Sequence, residues 1–249
     1  MSVFKLKAEL RAKANKERAR VSQSFFKTGK GEYGEGDIFL GLTVPDQRKI
    51  AYGHVELSLG DLEGLLKSKI HEHRFVVLEI LVFKFEQATK IFDKKSQKKI
   101  FNFYLEQAKA GHINNWDLVD TSAREIVGAW LFDKNRRLLY KMARSKNLWE
   151  RRVSIVSSHY LITRGQYKDT LALSRALIAD KHDLIHKASG WMLREVGKKD
   201  PKILEAFLAE NASIMPRTML RYAIERLPLE KKALFMGLSS NKSEKKLKK

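Results

Sequence analysis

Apolar residues recur along most of the chain at intervals of three and four positions. The pattern is clear in one stretch, where the apolar residues are Ile70, Phe75, Leu78, Ile80, Leu81 and Phe85. This spacing gathers apolar side chains on one face of an α-helix, whereas the period-two alternation of strands is scarce. The pattern therefore predicts an all-α protein.

Signals for helix starts divide this pattern into short helices. Thr43 and Ser58 each precede an acid by three residues, the arrangement of a capping box, and Pro201 and Pro216 suit the first turn of a helix. The predicted helices lie near residues 3–14, 16–27, 44–54, 59–69, 72–86, 95–109, 116–131, 135–144, 148–163, 168–179, 183–198, 201–210, 216–226 and 229–237. Short connections between them favour successive hairpins, as in an α-solenoid of the HEAT or armadillo type with a concave surface.

Two segments fall outside the helical pattern. Residues 28–37 contain four glycines and predict a surface loop, because the Gly-Lys-Ser/Thr ending of a nucleotide-binding loop is missing. Residues 241–249 hold five lysines, one glutamate and one leucine, too little apolar area to order themselves. We predict a single solenoid domain over residues 1–238 and a flexible basic tail over 239–249.

The charge balance indicates what kind of partner the protein binds. The chain carries 49 Lys and Arg against 29 Asp and Glu, a net charge of +20, which predicts attraction to nucleic acid or to an anionic membrane. No apolar run is long enough to span a bilayer, and the first residues lack the apolar core of a signal peptide. The chain has no cysteine, which excludes disulfides, thiolate metal sites and cysteine nucleophiles. We predict a cytoplasmic, monomeric protein whose partner is DNA and not a membrane.

Residues 114–120 combine an indole with a carboxylate. If the segment is helical, Trp116 and Asp120 share one face, because they are four residues apart. An aromatic surface beside an anion suits a reaction that develops positive charge on a sugar. The alternative is that Asp117 and Asp120 only decorate a helix start, where acids are common.

Two further tryptophans have an arginine on the same predicted helix face. Arg152 follows Trp149 by three residues, and Arg194 follows Trp191 by three. The planar guanidinium of arginine can donate two hydrogen bonds to one phosphate. The alternatives are tryptophans in the core, and arginines on a solvated face or in ion pairs.

The histidines do not have the spacing of a metal site. His71 and His73 point to different sides of a helix, and His182 and His186 lack a further ligand nearby in the sequence. We predict no metal and no cofactor. The glycine motifs of common hydrolases and dehydrogenases are also missing.

Four ordered segments resemble the AlkD-type DNA alkylation repair glycosylases, which are built from HEAT-like repeats. The matching segments are residues 37–45 with Arg48, residues 115–120, residues 147–152 and residues 187–195. The resemblance implies hydrolysis of the bond between deoxyribose and a cationic alkylpurine such as 7-methylguanine or 3-methyladenine in duplex DNA, without extrusion of the base.

The resemblance also implies roles for individual residues. Asp120 corresponds to the catalytic carboxylate, Trp116 and Trp191 to tryptophans that line the lesion's sugar, and Arg152 to a phosphate ligand. The basic residues of the matching segments that we expect to help hold DNA are Arg48, Lys187 and Arg194. One departure is that Phe25 and Phe26 stand where the family often has a lesion-packing tyrosine, so we leave both out of the predicted catalytic set.

Two other functions remain open from the sequence. Some HEAT-like relatives keep the solenoid and lose the reaction, so the chain could be an inactive module that binds duplex or branched DNA. A protein-recognition scaffold is the third interpretation, and it predicts a groove whose potential is not dominated by one sign.

Overall fold

The computed structural model describes residues 2–246, of which 239–246 enter only as backbone. These residues form helices and connecting turns. Their β-type pairing is a single parallel bridge between Ile38 and Ile70. The all-α class predicted from the apolar spacing is thereby confirmed. The chain divides between Trp130 and Leu131 into two compact units.

The first unit is built around one central helix. Its helices are α1 (Val3–Ala12), α2 (Lys16–Phe25), α3 (Val44–Tyr52), α4 (Leu59–Leu66), α5 (His71–Lys90), α6 (Lys94–Lys109) and α7 (Trp116–Ala123). Residues 71–82 of α5 are all buried, because α3, α4, α6 and α7 each pack against this helix. A helix that is covered on every side loses the alternation of buried and exposed faces, so charged residues of α5 must find partners inside the unit.

The end of α7 departs from a regular helix. The sequence predicts one helix over residues 116–131, but a π-helical turn (Arg124–Gly128) follows α7 and leads into the short α8 (Ala129–Leu131). Single π turns inside helices are often found at functional sites. The predicted helix over 148–163 is likewise divided in two in the second unit.

The second unit has its core around α13. Its helices are α9 (Arg137–Met142), α10 (Leu148–Ser157), α11 (His159–Ile162), α12 (Lys168–Ala176), α13 (Asp183–Lys199), α14 (Pro201–Asn211), α15 (Arg217–Ile224) and α16 (Leu229–Lys246). The helices α10, α14 and α15 pack on α13. Apolar side chains such as Leu193, Leu204, Phe207 and Met219 fill the space between them.

Two boundary predictions remain open. The backbone of α16 continues through residue 246, and residues 247–249 lie outside the described residues, so the flexibility predicted for 239–249 stays a prediction. The single solenoid domain over 1–238 also stays a prediction.

Candidate DNA-binding and catalytic site

The helix α7 presents Trp116 and Asp120 on one side. Asn115 caps the helix, because its side-chain oxygen accepts a hydrogen bond from the Trp116 N–H at 2.8 Å. The residues at 118, 119, 122 and 123 form the buried stripe, which leaves Trp116 and Asp120 half-buried on the other side, one helical turn apart. An indole and a carboxylate therefore lie next to each other at the surface of the helix.

Asp120 is also near a buried phenol. Burial raises the pKa of Tyr104 well above 10; a hydrogen bond with Ser122 lowers it somewhat, and the negative charge of Asp120 raises it again. Tyr104 therefore stays protonated at neutral pH. It adds no second negative charge beside Asp120.

Two phenylalanines extend the aromatic surface of Trp116. The ring of Phe26 stacks on Trp116 with centroids 5.2 Å apart and on Phe39 with centroids 5.0 Å apart. Phe25 stands edge-on to Trp116 at 5.9 Å and is 63% exposed. These are residues that the sequence interpretation left out of the site. Their position at the end of the second predicted helix is the feature of the sequence that could have indicated them.

A buried carboxylate holds residues 40–42, the segment against which the start of α2 packs. Both oxygens of Glu72 accept hydrogen bonds from the backbone N–H groups of Leu40, Gly41 and Leu42, at 2.9, 2.7 and 3.4 Å. Gly41 has φ of +83°, and a Cβ there would lie 2.3 Å from the Asn15 carbonyl oxygen. The glycine thus lets α2 begin directly against this segment, which sets where Phe25 and Phe26 fall.

A buried charge network lies beneath the same aromatic cluster. His71 shares its ring nitrogens between Asp117, at 2.7 Å, and Asp37, at 3.3 Å, while Arg74 donates to Asp37 at 2.6 Å. Burial lowers the pKa of His71, but the Asp117 charge and the hydrogen bonds to Asp117 and Asp37 outweigh burial and raise it to about 9. His71 is therefore a cation at neutral pH, and it offsets the charges of Asp117, at the start of α7, and of Asp37.

Arg48 lies beside α7 through a bridging acid. Its Nε is 3.1 Å from an oxygen of Glu79 on α5, and the same oxygen accepts a hydrogen bond from Thr121, the residue after Asp120. The Arg48 side chain is more than half exposed, whereas that of Glu79 is almost fully buried. The guanidinium is thus held near the Asp120 side of α7 with surface left for a phosphate.

In the second unit, Trp191 lies half-buried on α13. Its indole N–H donates to Glu195 at 3.2 Å, and the ring meets His159 edge-on at 5.7 Å. Arg194 pairs with Glu225 and lies 3.6 Å from Glu195. Trp191 therefore has a partly open ring, while Arg194 is engaged by two acids.

The other predicted phosphate ligands are also held by protein groups. Arg152 is only 4% exposed and donates to the Leu184 carbonyl at 2.5 Å, and Lys187 pairs with Asp183 at 2.7 Å. Trp149 is buried, as a core tryptophan would be. The DNA contacts of Arg152, Lys187 and Arg194 stay predictions.

The geometry defines an all-helical protein with an aromatic and acidic surface on one helix of its first unit. The comparisons with known proteins name the class more closely. The family model for the DNA alkylation repair enzyme matches residues 6–227, so the chain belongs to this family. The resemblance seen in the sequence is thereby confirmed.

Two solved structures are similar to the chain over most of its length. One, from Enterococcus faecalis, is described as a predicted DNA alkylation repair enzyme; it has a TM-score of 0.65 and 17% identity, covering 87% of this chain and 98% of that one. The other, AlkD2 from Streptococcus mutans, has a TM-score of 0.51 and 16% identity, covering 90% and 96%. These likenesses confirm the helical-repeat fold. No match was found among curated protein sequences.

The apolar lengths of the helices can be compared with the thickness of a bilayer. Within the described residues, none is both long and apolar enough to cross a bilayer.

Proposed function

We propose that this protein is a monofunctional DNA glycosylase that hydrolyses the bond between deoxyribose and a cationic alkylpurine in duplex DNA. The observation that carries the proposal is the pairing of Asp120 with Trp116 on the outward side of α7, beside the exposed ring of Phe25. Membership in the DNA alkylation repair enzyme family supports the substrate class.

The proposed reaction requires few catalytic groups from the protein. Alkylation gives the purine a positive charge, so the base can leave without being protonated, and its ring takes up the electrons of the broken bond. What remains is to stabilise the positive charge that develops on the sugar and to place a water for attack. The Asp120 carboxylate serves both needs, because it attracts the sugar cation and accepts a hydrogen bond from the water.

The aromatic groups supply the rest of the transition-state environment. The electron-rich face of an indole attracts a cation by about 0.5–2 kcal/mol, depending on how far water is excluded. Trp116 offers such a face in the first unit, and we assign the same role to Trp191 in the second. A surface of this kind can act on a base that remains stacked in the duplex, which avoids the cost of extruding it.

Basic residues hold the DNA in this proposal. Arg48 is the best placed, because its side chain is more than half exposed and shares Glu79 with Thr121, the residue after Asp120. We retain Arg152, Lys187 and Arg194 as further phosphate ligands; Lys187 and Arg194 would exchange an acidic partner for phosphate.

The direct test is base release from methylated duplex DNA. The protein is incubated with DNA that carries 7-methylguanine and 3-methyladenine, and the free bases are separated by chromatography. We expect both bases in solution and an abasic strand that stays intact until it is treated with alkali, because no amine nucleophile takes part. Salt-sensitive binding of the DNA without any base release would replace the proposal with an inactive DNA-binding module.

A further inference from the structure

The turn between α5 and α6 exposes two large apolar side chains. Ile91 is 73% exposed and Phe92 is 83% exposed. Four lysines lie near them on the same two helices, Lys84, Lys90, Lys95 and Lys99, and they outnumber the two acids Glu86 and Asp93, which interact electrostatically with Lys90 and Lys95. Among the described residues, none of these four lysines makes an ion pair. We call the two apolar residues and the four lysines the Phe92 surface.

Phe92 has a strained backbone conformation at the end of α5. The Asp93 N–H donates to the Ala88 carbonyl at 2.8 Å and the Phe92 N–H to the Thr89 carbonyl at 3.2 Å, the two bonds of a Schellman motif. Phe92 occupies its left-handed position with φ of +56°, where glycine is usual and a bulky residue is an outlier.

The same motif ends α6 with the expected residue. There Gly111 has φ of +81°, and the bonds run from His112 to Gln107 and from Gly111 to Ala108. A bulky side chain held in a strained position and turned to solvent points to a role outside folding.

A groove next to the turn is lined by Ile91 and by Asp93, the residues on either side of Phe92. It has a volume of about 380 Å³, and its walls include the apolar Leu59, Ala88, Ile91 and Ile100, with Lys84 and Lys99 among the polar lining. A second groove of about 360 Å³ shares Leu59 and Lys99 with the first but is also lined by Glu63 and Glu106, so an acidic partner is assigned to the first groove alone. Together they follow α6 from Ser96 to Glu106, about three turns, with the first turn of α4 on the other side.

This surface faces away from the proposed catalytic side of α5. Ala88 lines the groove and follows Glu79, the partner of Arg48 and Thr121, by nine residues. At 100° per residue the two side chains are about 180° apart around α5. The surface is therefore separate from the residues assigned to base excision.

We propose that the Phe92 surface binds an acidic, apolar-anchored peptide segment of a partner protein. Aliphatic walls would be desolvated by apolar side chains of such a segment but not by a phosphate backbone, and the excess of lysines over acids at the turn would attract its carboxylates. A second copy of the chain is disfavoured by the net charge of +20, and the chain's own residues 241–249 are lysine-rich like the surface itself.

Peptides selected from a random phage-displayed library against the full-length protein provide the probe. We expect them to combine large apolar residues with Asp and Glu. A fluorescent copy of such a peptide should bind Phe92→Ser at least about tenfold more weakly than wild type, as for loss of an aromatic anchor. Phe4→Ser is the matched control, because Phe4 is 81% exposed on α1 in the same unit.

Two further variants and one control variant separate docking from folding and test the contribution of charge. Phe92→Gly relieves the strained backbone, so we expect a higher Tm together with the same loss of peptide binding. The double variant Lys95→Glu with Lys99→Glu should also lose binding. Lys141→Glu with Lys199→Glu, which changes the net charge equally at exposed sites of the second unit, should keep it.

Several results would overturn the proposal. Peptide binding that is unchanged in Phe92→Ser and in the lysine variant would show that the surface is not used. If these variants instead weaken binding of duplex DNA or of phosphatidylserine vesicles, the surface serves a nucleic acid or a membrane. The proposal does not depend on catalysis, so Asp120→Asn should bind the peptide as wild type does.

Discussion

Asp117 and Asp120 lie three residues apart on α7 and have different surroundings. One oxygen of Asp117 accepts the Leu118 N–H at 2.8 Å, and the other is 2.7 Å from His71. Asp117 is thus committed to the helix start and to the buried histidine, which fits the structural interpretation of an acid at this position. Asp120 shares the side of Trp116 and remains the candidate for chemistry.

The charge on His71 predicts how stability depends on pH. Its pKa is raised from 6.5 to about 9, so its contribution is complete below pH 6.5 and disappears as the pH rises through 9. We expect the free energy of unfolding to fall by on the order of 1–3 kcal/mol across this interval. Chemical denaturation at a series of pH values measures it.

The variant His71→Gln should be less stable at neutral pH and should lack this fall. His73 does not contribute in the same window, because burial and nearby cations lower its pKa to about 4. A variant that keeps the full decline between pH 6.5 and 9 would assign the effect to other groups.

At the scale of helices, the sequence predicted where most helices start, but it did not predict the contacts between distant segments. Ser58 and Asp61 form the capping box expected from their spacing, with reciprocal hydrogen bonds, because such a cap depends on neighbouring residues alone. The stack of Phe26 on Trp116 depends on Glu72 and on Gly41. No local pattern encodes a contact that several distant residues create together.

The π-helical turn after α7 escaped prediction for a similar reason. The apolar positions from 116 to 131 continue the helical spacing, so nothing in the local pattern signals a change of hydrogen bonding at Arg124–Gly128. The turn packs against α5 and α6, so we attribute its hydrogen bonding to tertiary contacts.

Close packing of α13 on α15 leads to a prediction about two glycines. A Cβ at Gly190 would lie 2.4 Å from the Met219 carbonyl oxygen, whereas a Cβ at Gly64 on α4 would meet no atom within 4 Å. We expect Gly190→Ala to lower the free energy of unfolding by about 1–3 kcal/mol through overpacking. Gly64→Ala should raise it by about 0.5–1 kcal/mol, because alanine loses less backbone entropy in a helix.

Thermal and urea unfolding of the two variants measures both effects side by side. Equal shifts of the same sign would mean that helix propensity, and not the close approach of α15, decides the outcome at Gly190.

For the whole molecule, the net charge of +20 predicts strongly salt-dependent binding of duplex DNA. Arg48 should account for about one unit of the slope of log affinity against log salt concentration, because a lost phosphate contact removes about that much. We expect Arg48→Ala to show this change in fluorescence anisotropy titrations over a range of salt.

Arg144→Ala is the matched control, since Arg144 is an exposed arginine of the second unit outside the predicted site. Identical slopes for the two variants would show that Arg48 acts only through overall charge and not as a particular phosphate ligand.

The fold and the family could be predicted from the sequence, whereas the surroundings of the individual DNA ligands could not. Apolar spacing and four ordered segments were enough for an all-α repeat protein of the DNA alkylation repair enzyme family. Arg152 and Arg194 looked like surface cations in the sequence, yet Arg152 is buried and Arg194 is paired with Glu225. Burial and pairing follow from which helices meet, and helical spacing does not specify that.

The most direct test of the central claim is the rate at which Asp120→Asn releases 7-methylguanine under single-turnover conditions. The substitution keeps the shape of the side chain and removes its charge, so folding and DNA binding should match wild type. We expect the rate to fall by a factor on the order of 10²–10³, as for loss of a group that stabilises transition-state charge. Release at the wild-type rate by a folded Asp120→Asn protein would contradict the account.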